Sequence, residues 1–129
     1  MTLQPESPGP LADCRVLVVE DEYFLADDIV QALTALGARI IGPYGDLQEA
    51  INVVDRDVAI DAAIMDINLH DHMVFPLARV LRNRKVPLVF TTGYDRSALE
   101  PEFQDVTLWG KPLDLKAMAR ELTSLIRGN

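Results

Sequence analysis

Cysteine is nearly absent: Cys14 is the only one in 129 residues. An intrachain disulfide is therefore impossible, and a cysteine-built zinc site is disfavoured. Basic residues are also scarce. Twelve Lys and Arg stand against twenty Asp and Glu, for a net charge of −8. That argues against a nucleic-acid partner, because a phosphate backbone needs a basic face. No apolar run approaches a membrane span, and no basic-then-apolar leader opens the chain. The expected compartment is the cytoplasm, with no membrane contact. The length leaves little room for a second domain. What is plentiful is apolar residues, 49% of the chain, enough to close one core. The acidic excess favours a cation or a basic partner surface.

Residues 1–13 hold Pro5, Pro8, Gly9 and Pro10 without an apolar period, and are expected to form a disordered tail. The domain is expected over 14–129. Arg15 to Val19 is a short run rich in β-branched residues, predicting a strand buried on both faces. Leu25, Ile29, Leu33 and Leu36 recur at helical spacing, and Gly37 follows as a C-terminal cap. Arg39 to Tyr44 reads as a second strand, at a sheet edge because Pro43 cannot donate a ladder hydrogen bond. Asp46 with Glu49 resembles a capping box for a second helix carrying Leu47, Ala50, Ile51 and Val54. Ala62 to Met65 predicts a third strand ending at Asp66. Val74, Leu77, Ala78 and Leu81 mark a third helix, with Pro76 tolerable only in its first turn. Val86 to Thr91 and Val106 to Trp109 predict two more strands. Asp114 caps a last helix with Leu115, Met118, Ala119 and Leu122 on one face. Tyr94 to Asp105 has few apolar residues and contains Pro101, so a fourth helix there is expected to be short, irregular or absent. Strand and helix alternate throughout. The fold class is therefore α/β, a doubly wound parallel sheet with helices on both faces.

In such a sheet, ligands bind beyond the carboxyl ends of the strands. Those ends carry Glu20, Asp21 and Glu22 after the first strand and Asp66 after the third. Thr91, Thr92 and Gly93 end the fourth, and Lys111 and Pro112 follow the fifth. Each group alone has a plain structural reading: acids start helices, and Thr before Gly makes turns. Together they bring carboxylates, a hydroxyl and an ammonium to one edge. Crowded carboxylates repel one another, and a divalent cation relieves that conflict. Few carboxylates, with room for water and phosphate oxygens, suit Mg2+. Phosphoryl transfer asks for an in-line nucleophile and positive charge on the equatorial oxygens. Asp66 would be the nucleophile, with Mg2+ on one side, Lys111 on the other and a threonine hydroxyl as donor. Asn68 would offer a backbone carbonyl to the ion or be a turn residue. His70 and His72 are expected in a solvated loop. Cys14 is expected in the core. Trp109 is either core or partner surface.

The segments VLVVEDE (16–22), MDINL (65–69), FTTGY (90–94) and Lys111-Pro112 resemble the four signature segments of response-regulator receiver domains. The resemblance covers about Cys14 to Arg127. It implies a CheY-like, flavodoxin-like sheet of five strands in the order 2-1-3-4-5, and five helices. It further implies Glu20 and Asp21 as the Mg2+-binding acid pair, Asp66 as phosphoacceptor and metal ligand, and the Asn68 carbonyl in the metal site. Thr92 matches the switch hydroxyl and Lys111 the conserved lysine. Two departures stand out. Leu108 occupies the usual aromatic switch position, and the turn after Asp66 is His70-Asp-His72. The stretch PLVFTTGYD (87–95) resembles the FAT-GUY receivers, which have a reduced fourth helix and are often paired with histidine kinases of the HWE type.

The expected function is a two-component receiver, phosphorylated on Asp66 by a histidine kinase or phosphotransfer protein. It is expected to be no enzyme toward external substrates, only self-phosphorylating and autodephosphorylating. If the chain is complete, nothing after the last helix remains to bind DNA, so output would run through protein contacts. The low apolar content of Tyr94 to Asp105 marks that segment as movable. Two alternatives are a phosphorylation-independent scaffold on the same fold and a phosphatase of the haloacid dehalogenase type. The phosphatase needs a second acid two residues after the nucleophile, where this chain has Asn68.

Overall fold

A computed structural model describes residues 9–56, 58–70, 72–94 and 96–128. Residues 1–8 of the expected tail, and Asp71 and Asp95 within two expected loops, lie outside the described residues. Five strands, β1 (Arg15–Val19), β2 (Arg39–Tyr44), β3 (Ala62–Asp66), β6 (Leu88–Thr92) and β7 (Thr107–Gly110), form one parallel sheet. A ribbon of two-residue strands, β4 (Asn68–Leu69) and β5 (His72–Met73), lies between β3 and the third helix. The sheet order is β2-β1-β3-β6-β7, which is order 2-1-3-4-5 among the five sheet strands. The Pro43 strand is at the edge, where its missing donor matters least. Among the described residues four α-helices cover the sheet: α1 (Tyr23–Thr34), α2 (Leu47–Asp55), α3 (Phe75–Asn83) and α4 (Leu115–Arg127).

Alternation along each strand divides the core into two layers. Leu17, Ala63, Met65, Leu88 and Phe90 pack with α2 and α3 on one face. Val16, Val18, Ile64 and Val89 pack with Ile29 and Leu33 of α1 and Met118 and Leu122 of α4 on the other. Burying each large aliphatic side chain contributes about 1.5–3 kcal/mol. The helix ends follow the sequence signals. Asp46 accepts the Glu49 N–H at 3.0 Å and Asp114 the Ala117 N–H at 3.1 Å. Pro76 sits in the first turn of α3.

Two sequence expectations need correction. Residues 9–13, expected in the disordered tail, pack on the domain. Leu11 is fully buried, and its N–H reaches Leu36 O at 2.8 Å. Arg127 holds the Pro10 and Ala12 carbonyls. The approach is so close that a Cβ on Gly9 would meet Leu36 O at 2.1 Å. Gly37, at φ 96°, ends the turn after α1 with its own Cβ position 3.1 Å from the Ala12 backbone. Leu11 and Ala12 beside Pro10 make no period, so this docking left no pattern to read.

The second correction concerns the expected movable segment. In place of a fourth helix stand two 3₁₀ turns, Arg96–Ala98 and Pro101–Phe103. Apolar residues are few there, but they are deeply placed: Leu99 is buried and Phe103 fully so. Phe103 stacks on Phe75 at 5.3 Å and meets Phe90 edge-on at 5.6 Å. Outside it, Arg79 pairs with Glu100 and Glu102, and Arg82 with Asp105. Both guanidiniums lie over the Phe103 ring. The premise of few anchoring contacts therefore does not hold.

Candidate functional site

The carboxyl ends of β1, β3, β6 and β7 meet around a cleft of about 520 Å³, lined by Asp21, Asp66, Asn68 and Lys111 among others. Lys111 lines it, and its ammonium meets three carboxylates. Nζ is 2.6 Å from Asp66 Oδ2, 3.2 Å from Glu20 Oε1 and 3.5 Å from Glu22 Oε1. The Lys111 backbone N–H donates to Thr92 O at 2.8 Å, tying the lysine loop to the end of β6. Asp66 Oδ1 accepts the Asn68 N–H at 3.0 Å, which turns the chain sharply after the strand. Glu20 receives the Glu22 N–H at 3.0 Å. Asp21 receives the N–H of His70, whose backbone is left-handed at φ 45°.

Burial makes this charge set expensive. Glu20 and Asp66 are nearly inaccessible, at 4% and 6% exposed. Loss of water pushes the Glu20 carboxyl up to about 7. The neighbouring Asp66 charge adds to this, against the Glu22 N–H and Lys111. Burial also opposes the Lys111 ammonium, but the hydrogen bond and charge of Asp66, then Glu20, hold its pKa above the usual lysine range. Ligand oxygens of Glu20, Asp21 and Asp66 lie within 4.8 Å of one another. Among the described residues this is the one such group of acids, histidines or cysteines. Hard oxygen donors around a carboxylate that burial leaves short of its charge suit a small divalent cation.

Every expected site residue reaches this end of the sheet, but not in one shell. Glu20, Asp21, Asp66, Asn68 and Lys111 surround the cleft or touch Lys111. The Thr92 hydroxyl instead accepts the Tyr94 N–H at 2.9 Å, and Thr92 is not among the cleft-lining residues. His70 and His72 are exposed. Leu108 packs with the α2/α3 core, whereas Trp109 packs with the α1/α4 core. The sequence places Thr91 and Thr92 together at the end of β6, and the resemblance singled out only Thr92. Thr91 is fully buried, lies in register with Asp66, and has a hydroxyl with no hydrogen-bond partner. The register of β3 and β6, which alone could have pointed to it, is not written in either strand.

Fold and site together define a doubly wound α/β domain of the CheY-like class, with three carboxylates and a lysine at the strand ends. No family model matches the chain. The solution structure of SdrG from Sphingomonas melonis Fr1 is similar at 32% identity and TM-score 0.76, over 87% of this chain and 95% of that one. The BeF3-activated conformation of SdrG from Pseudomonas melonis Fr1 is similar at 31% identity and TM-score 0.71, over 89% of this chain and 98% of that one. The receiver domain of the hybrid histidine kinase CckA matches at 25% identity and TM-score 0.72, over 87% and 98%. The sensory transduction protein LytT of Bacillus anthracis is 30% identical over 112 residues, 84% of this chain. The chain spans 45% of the length of LytT. The chain belongs to the response-regulator receiver-domain family, and so to the proteins of two-component signalling. Among the described residues no helix is long and apolar enough to cross a membrane.

Proposed function

We propose that this chain is a phosphorylation switch in which Asp66 accepts a phosphoryl group from a phosphohistidine on a kinase or phosphotransfer protein. The observation that carries this reading is the Lys111 ammonium 2.6 Å from Asp66 Oδ2, beside two further carboxylates in ligand range. In the transfer the P–N bond of the donor breaks as an Asp66 oxygen bonds to phosphorus. Lys111 meets the negative charge on the phosphoryl oxygens. The Asn68 N–H fixes the carboxylate's rotation. Glu20, Asp21, Asp66 and the Asn68 carbonyl would hold Mg2+. When bound, the ion supplies positive charge to the crowded carboxylates and the incoming phosphoryl group. Asn68 cannot act as a general acid, which disfavours turnover of external phosphate esters. The BeF3-activated conformation of SdrG supports the reading, because beryllofluoride mimics a phosphoryl group on a carboxylate. A cytoplasmic location and output through protein contacts complete the proposal.

The test is incubation with acetyl phosphate, with and without Mg2+, followed by intact mass. One phosphoryl adduct is expected, absent from Asp66→Asn and from metal-free samples. No adduct, or an adduct that survives Asp66→Asn, would overturn the reading.

A further inference from the structure

Among the described residues, four buried side-chain polar atoms make no hydrogen bond: Asn68 Oδ1, Thr91 Oγ1, Trp109 Nε1 and Glu20 Oε1, which has only the ion-pair contact of Lys111 at 3.2 Å. Such groups are rare in folded proteins, and each asks for an explanation. Three of the four share one line across the sheet. Asp66 pairs in register with Thr91, and Thr91 with Trp109. Glu20 lies two residues beyond Val18 and Asp66 two beyond Ile64, and Val18 pairs with Ile64. Side chains alternate along a strand. Val18, Ile64 and Val89 all belong to the α1/α4 core, against which Trp109 also packs. Glu20, Asp66, Thr91 and Trp109 therefore form one row on one face, running from the cleft to the outer strand β7.

The donors and acceptors in this row have a single consistent direction. The indole N–H of Trp109 can only donate, a threonine hydroxyl can donate and accept, and a carboxylate or phosphoryl oxygen only accepts. The two oxygens of Asp66 are already engaged, Oδ1 by the Asn68 N–H and Oδ2 by Lys111. Thr91 is left without an acceptor, and Trp109 without an oriented one. A phosphoryl group on Asp66 adds three strong acceptor oxygens at this point.

Resting on the reading of Asp66 as phosphoacceptor, we propose that Thr91 is a second hydroxyl donor to the phosphoryl group and that Trp109 follows it. The chain of hydrogen bonds runs Trp109 Nε1–H to Thr91 Oγ1, and Thr91 O–H to a phosphoryl oxygen. It carries the state of Asp66 to the edge strand on the α1/α4 face, opposite the face on which Leu108 replaces the usual aromatic. Thr91 touches the reacting group, and Trp109 is a positioning residue acting through it.

The test uses the full chain, beryllofluoride and Mg2+. Uptake is read by 19F NMR and, in parallel, by the emission of Trp109, the sole tryptophan. The wild type is expected to bind with a saturable emission change. Thr91→Val keeps the shape of the side chain and removes the hydroxyl. It is expected to bind about tenfold more weakly, the loss of one hydrogen bond to a charged group, and to lose the emission change at saturation. Thr91→Ser is expected to restore both. Wild-type affinity together with a wild-type emission change in Thr91→Val overturns the relay while leaving the function reading intact. No uptake by the wild type overturns both.

Discussion

Two clusters of charge lie on this domain, and they are built in opposite ways. At the cleft, Glu20, Glu22 and Asp66 share one ammonium, Lys111, and two of these acids are almost wholly buried. Over Phe103, Arg79 and Arg82 meet Glu100, Glu102 and Asp105, and every side chain there is substantially exposed. Burial turns the first cluster against itself, so Glu20 is pushed up to about 7. Exposure lets the second relax, and the Arg82 hydrogen bond holds Asp105 below the usual carboxylate range. Charges that complete a structure sit in water, where each is worth little. Charges that are buried and left unbalanced mark a candidate functional site instead.

The contrast breaks first if Phe103 is not the true anchor of its cluster. Phe103→Ala is expected to lower stability by about 4 kcal/mol, the scale of a vacated aromatic site, in urea unfolding. An effect near zero would mean that the exposed ion pairs hold the segment after all. Lys111→Met removes the cation from a buried set. Metal-free protein is expected to lose about 3 kcal/mol, with most of it recovered at saturating Mg2+. Failure of Mg2+ to rescue would show that the cleft does not hold the ion.

Acidity sharpens the comparison further. Glu20 has a folded pKa raised above the ordinary 4.5, so between 4.5 and about 7 the folded state binds more protons than the unfolded one. The contribution of Glu20 to metal-free stability must therefore fall as pH rises through that window. Glu20→Gln is expected to flatten this part of the profile. Asp105 has the opposite sign. Its folded pKa is lowered, so its contribution is present above the unfolded value and is lost as pH falls through the folded one. The stability gap between the wild type and Asp105→Asn is expected to close on acidification below about pH 4. The smallest effect belongs to the Arg79–Glu100 pair. A double-mutant cycle is expected to give about 0.5 kcal/mol, because both side chains are 44% exposed.

Much of the site was legible because its residues announce themselves locally. Glu20, Asp21, Asp66 and Lys111 each end a recognisable strand, and strand ends on one side of a parallel sheet must converge. Thr92 was legible as a strand-end hydroxyl, but its engagement by the Tyr94 N–H was not, since that depends on the path of the loop. Thr91 looked like an interchangeable neighbour until its register with Asp66 separated the two. Phe103 was underrated for a similar reason. One aromatic in a polar stretch has no period, and its value comes from Phe75 and Phe90 on other elements.

The amino-acid order alone determined the alternation of strands and helices, their caps, the edge position of the Pro43 strand and the acids and lysine at the strand ends. These are decided within a few residues, by backbone geometry and apolar spacing. Only the tertiary structure decided how deeply Glu20 is buried, that Leu11 docks beneath Leu36, that Arg79 and Arg82 close over Phe103, and that Thr91 stands between Asp66 and Trp109. Each of those depends on groups distant in the chain meeting at a particular register and depth, and no local pattern encodes that meeting.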